Sequence, residues 1–444
     1  MMRSHNMLKG SIWKEILIFF FPILLGYLFQ QLYNTVDAMV VGNFVGTIAL
    51  GAVGGSTSMI INLIIGFVVG LSTGATVIIA QFIGANEKDK VHLTVSTIML
   101  MNIVLGIVLM VLGLIFSEDM LKLLSVPKEM MQDALIYLRI YLLGLIPTMI
   151  YNAGAGILRA VGDAKRPLYF LMVASITNIV LDIFLVIYVH LGVAGAAIAT
   201  VVSQAVTCAL TLYIFHDKDE VYYLDLKQMK FDYVLFKRII SIGLPTAIQG
   251  SLYSFANLFI QSSVNSYGTV SVASFTAFGK IDMFFWNFSG AMGASCLTFV
   301  GQNFGAKQFE RVKKGIRIAL GMFLLGSINI TIVSILFGEQ FYRLFTQDSE
   351  VVKVGMQILW LVGPFWNAVA FLEIYSASLR AMNVIFVPMI ISLIGVVGVR
   401  ILWILFYPGH SILDTLLVYP ISWCLTASFF ILFYISGIWK KGRI

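Results

Sequence analysis

Runs of more than 18 predominantly apolar residues limit this chain before anything else does: Val95–Phe116, Leu168–Val189 and Ile316–Phe337 are three of them. In lipid, only a helix satisfies its own backbone over such a length. A membrane β-barrel would show apolar and polar residues alternating along strands of about ten residues, and these runs do not alternate. Composition agrees. Of 444 residues, 59% are hydrophobic and 11% charged, whereas a soluble domain has about 45–50% and about 25%. A soluble enzyme is excluded, and the fold class read here is an all-α polytopic membrane protein.

Charge, Gly and Pro punctuate the chain into twelve expected transmembrane helices, at 14–42, 48–80, 91–116, 133–158, 167–190, 193–215, 238–264, 270–300, 314–337, 351–378, 386–407 and 412–437. Threading them alternately puts 22 of the 29 Lys and Arg on one side and four on the other. By the positive-inside rule both termini are expected in the cytoplasm. The net charge of +7 thus reflects a membrane face, and no nucleic-acid partner is expected. No cleavable signal peptide is expected, because the first apolar run lacks a small-residue exit and reads as a span. Cys208, Cys296 and Cys424 lie far apart inside apolar runs, which implies neither a disulfide framework nor a zinc site.

The chain repeats itself. A shift of 221 residues lays Gln81-Phe82-Ile83-Gly84-Ala85 on Gln302-Asn303-Phe304-Gly305-Ala306, Leu158-Arg159-Ala160 on Leu379-Arg380-Ala381, and Pro167 on Pro388. A shift of 223 lays Pro22 on Pro245 and Asn34 on Asn257. A nearly constant offset over more than 100 residues is a duplication. Six spans per half make the repeats parallel, as two pseudo-symmetric six-helix lobes. The expected organisation is an N-lobe at 1–215, a cytoplasmic linker at 216–237 and a C-lobe at 238–444. Rocking of two such lobes about a cleft is a route to alternating access.

Enzyme chemistry finds no support. There is no phosphate-binding G-x-x-x-x-G-K-[ST] and no H-E-x-x-H, and His5, His92, His190, His216 and His410 are scattered. A channel would want a repeated filter or ring, which a twofold pattern does not supply. No cofactor is expected. What remains is transport driven by an ion gradient.

Ionisable groups at membrane depth are costly and point to function. Asp37 and Asp182 lie in the N-terminal half with no mid-span base; their repeat partners are Ile260 and Trp403. Gln30, Tyr33, Asn34 and Asp37 share one helical face; Asn178 with Asp182, and Thr200 with Gln204, are spaced i, i+4. Asp182 follows Pro167 by 15 residues, about 22 Å into a core of about 30 Å. Two carboxylates, a carboxamide and a hydroxyl (Asp37, Asp182, Asn178, Thr200) offer hard oxygens for Na⁺. Close together in low dielectric, the carboxylates could instead hold H⁺. The same residues have plainer readings: Asn178 and Thr200 as interhelical glue, Asp37 as a solvated end residue. Pro22, mid-span, reads as a hinge or as a static kink. Gln30, Tyr33, Asn34 and Gln204 are expected at a substrate cleft, together with Gln249, Tyr253, Asn257 and Gln261 of the other half, which recur every four residues, and with Met283 and Trp286 as soft apolar contacts. Lys280, Asp282, Glu373 and Arg400 form a second polar cluster, in which Glu373 makes a structural ion pair with Lys280 or Arg400, or else a second cation site.

Twelve spans in two parallel halves, Pro22 with Asp37, Asn178-x-x-x-Asp182 and the repeated Leu-Arg-Ala resemble the multidrug and toxic compound extrusion (MATE) family, nearest its prokaryotic DinF-like branch. The resemblance covers nearly the whole chain. It implies an antiporter that exports lipophilic organic cations against H⁺ or Na⁺, with residues matching Asp37, Asn178, Asp182 and Thr200 as the cation site and Pro22 bending the first helix. The lipid bilayer and small organic cations are the expected partners, and a monomer the expected state. The sequence departs from the sodium-coupled NorM pattern, having Asn257 and Gln261 but no acid on span 7. One rival reading is a lipid-linked oligosaccharide flippase of the same superfamily, which usually wants more basic residues in its cleft. Another is a non-transporting membrane scaffold.

Overall fold

The computed structural model describes residues 7–124, 126–225, 227–407 and 409–440. His5 lies outside the described residues, as do Arg3, Lys441, Arg443 and the side chain of Lys440, which belong to the Lys- and Arg-rich side. Among the described residues there are helices and no strands. The long helices are α1 Ile12–Phe44, α2 Thr47–Gly84, α3 Lys88–Leu123, α4 Lys128–Leu143, α5 Leu145–Ala160, α6 Lys165–Tyr188, α7 Gly192–Phe215, α8 Tyr233–Asn265, α9 Thr269–Gly305, α10 Phe309–Leu336, α11 Ser349–Ala381, α12 Phe386–Phe406 and α13 Ile412–Ser436. Among the described residues eleven are long and apolar enough to cross a membrane, and α4 with α5, counted as one bent span, brings the number to twelve.

That pair corrects the expectation of one uninterrupted span over 133–158. The chain bends by 51° between α4 and α5, at Gly144. A Cβ on Gly144 would sit 2.5 Å from the Gln204 Oε1 and 2.9 Å from Val201 on α7. The break lets α7 approach where a side chain would keep it away. The second half breaks at the matching place, where α11 tightens to a single 3₁₀ turn at Gly363–Phe365 carrying Pro364, a residue with no backbone N–H to give.

The duplication is visible in backbone detail. α2 and α9 end on the repeated Gln-x-x-Gly-Ala/Gln-x-x-Gly-Ala segments, and each passes into a residue of left-handed conformation, Asn86 (φ 58°) and Lys307 (φ 58°). The closing hydrogen bonds match as well: Glu87 N to Phe82 O and Gln308 N to Asn303 O, both 2.9 Å. Gly162 (φ 94°) and Asn383 (φ 61°) repeat the device after α5 and α11. Left-handed residues after a helix satisfy its last carbonyls and turn the chain, so the repeated motifs are helix stops.

Two compact units emerge, and each helix that follows a terminus or linker is shared between them. One unit runs Phe21–Ala247; the other joins Met7–Phe20 to the chain from Ile248 onward. The division therefore falls inside α1 and α8, close to Pro22 and Pro245, the prolines that both helices carry. Residues 233–247 pack within the first unit, although chain order puts most of them in the second half. The polar segment after α7 is also docked there. Lys230 N donates to Ser96 Oγ at 2.7 Å, Asp232 N to Thr97 Oγ1 at 3.1 Å, and Arg166 pairs with Asp163 and Glu220 at 3.3 Å each.

Within the first unit, α8 lies against α2 through small residues. A Cβ on Gly74 would meet Ile239 O at 2.5 Å and Gly243 N at 2.7 Å; one on Gly70 would meet the Ala247 backbone at 2.4 Å. Gly70 and Gly74 face Gly243 and Ala247 at four-residue spacing, the small-xxx-small pattern by which membrane helices approach closely. Because the obstacle is backbone, no rotamer relieves it. Gly74→Val is expected to cost about 1–3 kcal/mol and to lower the melting temperature of the purified protein in detergent. An unchanged melting temperature would refute the close approach.

Candidate functional site

The acids of α1 and α6 come together. Asp37 is 8% exposed, Thr200 5%, and Asn178 and Asp182 are fully buried. The carboxyl groups of Asp37 and Asp182 lie within hydrogen-bonding reach of one another. The Tyr137 hydroxyl of α4 reaches both Asp37 and Thr200. Thr200 itself donates to Ala196 O at 3.1 Å, leaving its oxygen able to accept. Five buried polar atoms of Asp37, Asp182 and Asn178 have no hydrogen-bond partner among the described residues: Asp37 Oδ1, both oxygens of Asp182, and Oδ1 and Nδ2 of Asn178. Directly after Asp182, α6 widens into a π-helical stretch, Ile183–Tyr188. Such insertions are frequent at functional sites.

The surroundings are asymmetric. On one side Val40, Val41, Leu138, Val186, Ala196 and Ala197 belong to a single buried apolar cluster that also includes Tyr137. On the other is a cavity of about 170 Å³, lined by Tyr27, Gln30, Tyr33, Tyr141, Thr148, Tyr151, Asn152, Arg159, Ala174 and Gln204 among others. Four helices relate the two by the same step. Tyr33 and Asp37, Tyr141 and Tyr137, Ala174 and Asn178, Gln204 and Thr200 are each four residues apart. The acid pair thus lies one helical turn, about 5.4 Å, past the end of the cavity. Asn34 does not join them: it is exposed, about 100° round the helix from Tyr33. Tyr137 and Tyr141, whose rings stack at 6.4 Å, escaped the sequence reading. Their i, i+4 spacing within α4 was the available signal.

The second unit has a cavity of its own, about 310 Å³, reached by Gln249, Tyr253, Asn257, Asp282, Trp286, Glu373, Arg380, Arg400, Tyr419 and Trp423. Asp282 accepts from Trp286 Nε1 at 2.8 Å and from Trp366 Nε1 at 2.9 Å. Arg400 donates to Asn257 Oδ1 at 2.7 Å. The expected ion pair of Glu373 with Lys280 or Arg400 is absent from the ion pairs among the described residues. Lys280 is exposed and does not reach the cavity, and Arg400 is turned to Asn257 and Tyr419. Gln261 is likewise elsewhere, donating to Asn265 at 2.9 Å, and half-buried Met283 does not line the cavity.

The two cavities are copies. The 221-residue offset maps Thr148, Tyr151, Asn152, Ala155, Arg159 and Leu171 of the first onto Val369, Leu372, Glu373, Ser376, Arg380 and Ser392, all lining the second. The repeated Leu-Arg-Ala motif therefore places an arginine at the same corner of each. No group of three or more His, Cys, Asp or Glu able to hold a metal occurs among the described residues.

The MatE family model matches residues 22–184 and 245–405. A Bacillus subtilis protein named probable multidrug resistance protein YoeA is 27% identical over 98% of this chain and 96% of its own length. A MOP-superfamily transporter from Pyrococcus furiosus is 25% identical, with a TM-score of 0.90 over 99% of each chain. An outward-facing multidrug resistance MATE family transporter, 24% identical, shares the fold with a TM-score of 0.91 over 100% of this chain and 99% of that one. With a matching model over most of its length and the same helical fold, the chain belongs to the MatE family of multidrug and toxic compound extrusion transporters and is not an enzyme.

Proposed function

We propose that the chain is a secondary active antiporter of the prokaryotic plasma membrane, exporting lipophilic organic cations in exchange for H⁺ or Na⁺ by alternating access. The unpartnered oxygens of Asp37, Asn178 and Asp182, one turn from a polar cavity, carry this reading. Two carboxylates in apolar packing cannot both stay ionised alone. A shared proton gives each a hydrogen bond. A sodium ion would take oxygens from Asp37, Asp182, Asn178 and Thr200. Either occupant changes the charge one turn from Tyr33, Tyr141 and Gln204, and so changes how well the cavity holds a cation; exchange follows if the two compete. The names of the relatives support drugs as the substrates.

Pro22 supports a hinge. It leaves the Ile18 carbonyl of α1 without its helical partner, and the division between the units falls one residue before it, between Phe20 and Phe21. A bend there would answer the charge state of Asp37, four turns on.

In proteoliposomes with an imposed proton or sodium gradient, the parent is expected to move a fluorescent lipophilic cation against one of them. Asp37→Asn and Asp182→Asn should each lower that flux at least tenfold with an unchanged size-exclusion profile. Full flux in either variant would sink the coupling role. Tyr137→Phe, which removes the hydroxyl but keeps the ring in the apolar cluster, should slow exchange less than either. The charge asymmetry predicts both termini in the cytoplasm. With Cys208, Cys296 and Cys424 replaced by Ser, a cysteine at Lys9→Cys should react with an impermeant maleimide only after cells are opened. Labelling of intact cells would reverse the orientation.

A further inference from the structure

The cavity of the second unit holds a cation that the antiport reading does not use. Arg400 is 4% exposed and lies at mid-span, where an unpaired charge is costly. Its guanidinium has five donors. One goes to Asn257 Oδ1 at 2.7 Å, the plane stacks 4.5 Å from the centre of the Tyr419 ring, and Nε is buried with no acceptor. None of this supplies a negative charge. Asp282 is near enough to Arg400 to interact with it electrostatically, but it accepts no hydrogen bond from the guanidinium, each of its oxygens being bound by an indole N–H, and Glu373 forms no ion pair with Arg400 among the described residues. Nor is the arginine a demand of the duplicated scaffold: its counterpart in the first half is Ile179.

We infer that Arg400 is the anion anchor of this cavity, which takes a soluble aromatic molecule bearing a carboxylate. A guanidinium with free donors matches a carboxylate in a fork geometry. Tyr253, Trp286, Tyr419 and Trp423 give the wall an aromatic face, and about 310 Å³ lies at the small end of pockets that bind organic ligands, about 300–1,000 Å³. Ser392, Val396 and Arg400 reach it at four-residue intervals, across the π-helical stretch Leu393–Gly398. The inference rests on the reading of the chain as a small-molecule transporter and adds a feature of its substrate. Such a carboxylate can sit on a molecule that is also cationic, with Glu373 in the same cavity.

The test is a binding comparison on the purified full-length protein in neutral detergent, by calorimetry at pH 7.4, with 2-naphthoate and its neutral amide, 2-naphthamide. It needs no ion gradient, so failed antiport and failed anchoring are distinguishable. The parent should bind the acid at least tenfold tighter than the amide, and Arg400→Gln should bind the two alike. Arg400→Lys, which keeps the charge but loses the fork, should fold even if the Gln variant does not, and should cut the preference at least threefold. Equal binding of acid and amide by the parent, or an undiminished preference in either variant, overturns the inference. So does displacement of naphthoate by a few phosphatidylglycerol molecules per protein, which would make the anion a lipid phosphate.

Discussion

A charge inside a membrane has to be answered by another charge, a proton or a tight net of hydrogen bonds, and the polar architecture of this protein is arranged round that requirement. Asp37 and Asp182 face each other with apolar packing on one side and a cavity on the other. Asp282 meets the same requirement differently, through two indole donors. The contrast is informative. An acid with each oxygen bonded inside the protein is a finished structural element. An acid pair with three unbonded oxygens, beside an unbonded carboxamide, is unfinished without an occupant, and that difference leads to the coupling role proposed for the first pair and not for Asp282.

Duplication supplied two cavities from one plan, and divergence gave them different chemistry. The arginine corner is common to both, Arg159 in one and Arg380 in the other. Around it the first cavity keeps neutral partners such as Asn152 and Gln204, and its acids sit one turn deeper. The second brings charge into the cavity wall itself, with Glu373 where the first has Asn152 and Arg400 where the first has Ile179. The left-handed stops that fix helix ends kept their backbone conformation although their residues differ, Asn86 with Lys307 and Gly162 with Asn383. Backbone turns tolerate little variation, whereas a cavity-lining side chain can be exchanged without disturbing a helix.

Span number, the all-helical class and the meeting of Asp37 with Asp182 were legible in the sequence, because hydropathy and helical periodicity are local and each acid stood out against an apolar background. Tyr137 and Tyr141 were not, since tyrosine is common in membrane helices and the bend at Gly144 that aims them depends on α7 packing, a long-range fact. The Lys280 pairing failed for a related reason. Two charges close in sequence, at 280 and 282, lie about 200° apart round a helix, so that one reaches the cavity and the other does not. Asn34 missed the cavity by the same geometry.

The compact units also depart from chain order for a physical reason. A helix of 33 residues such as α1 or α8 spans about 50 Å, longer than the hydrocarbon core of about 30 Å, so each can pack its early turns against one unit and its later turns against the other. Both carry a proline close to the changeover. A proline there removes one hydrogen bond and relieves the helix of a strict axis where its packing partners change. Gly243, just before Pro245, permits one of those close contacts, and a side chain there would meet the backbone of Leu71 at 2.8 Å. Helix length, proline and glycine thus act together: the first allows a shared helix, the second lets it bend, and the third lets the shared turns pack. A transporter of this plan has its two units joined through the same helix that bears Asp37, so the site proposed to bind the coupling ion and the place where α1 can bend belong to one continuous element.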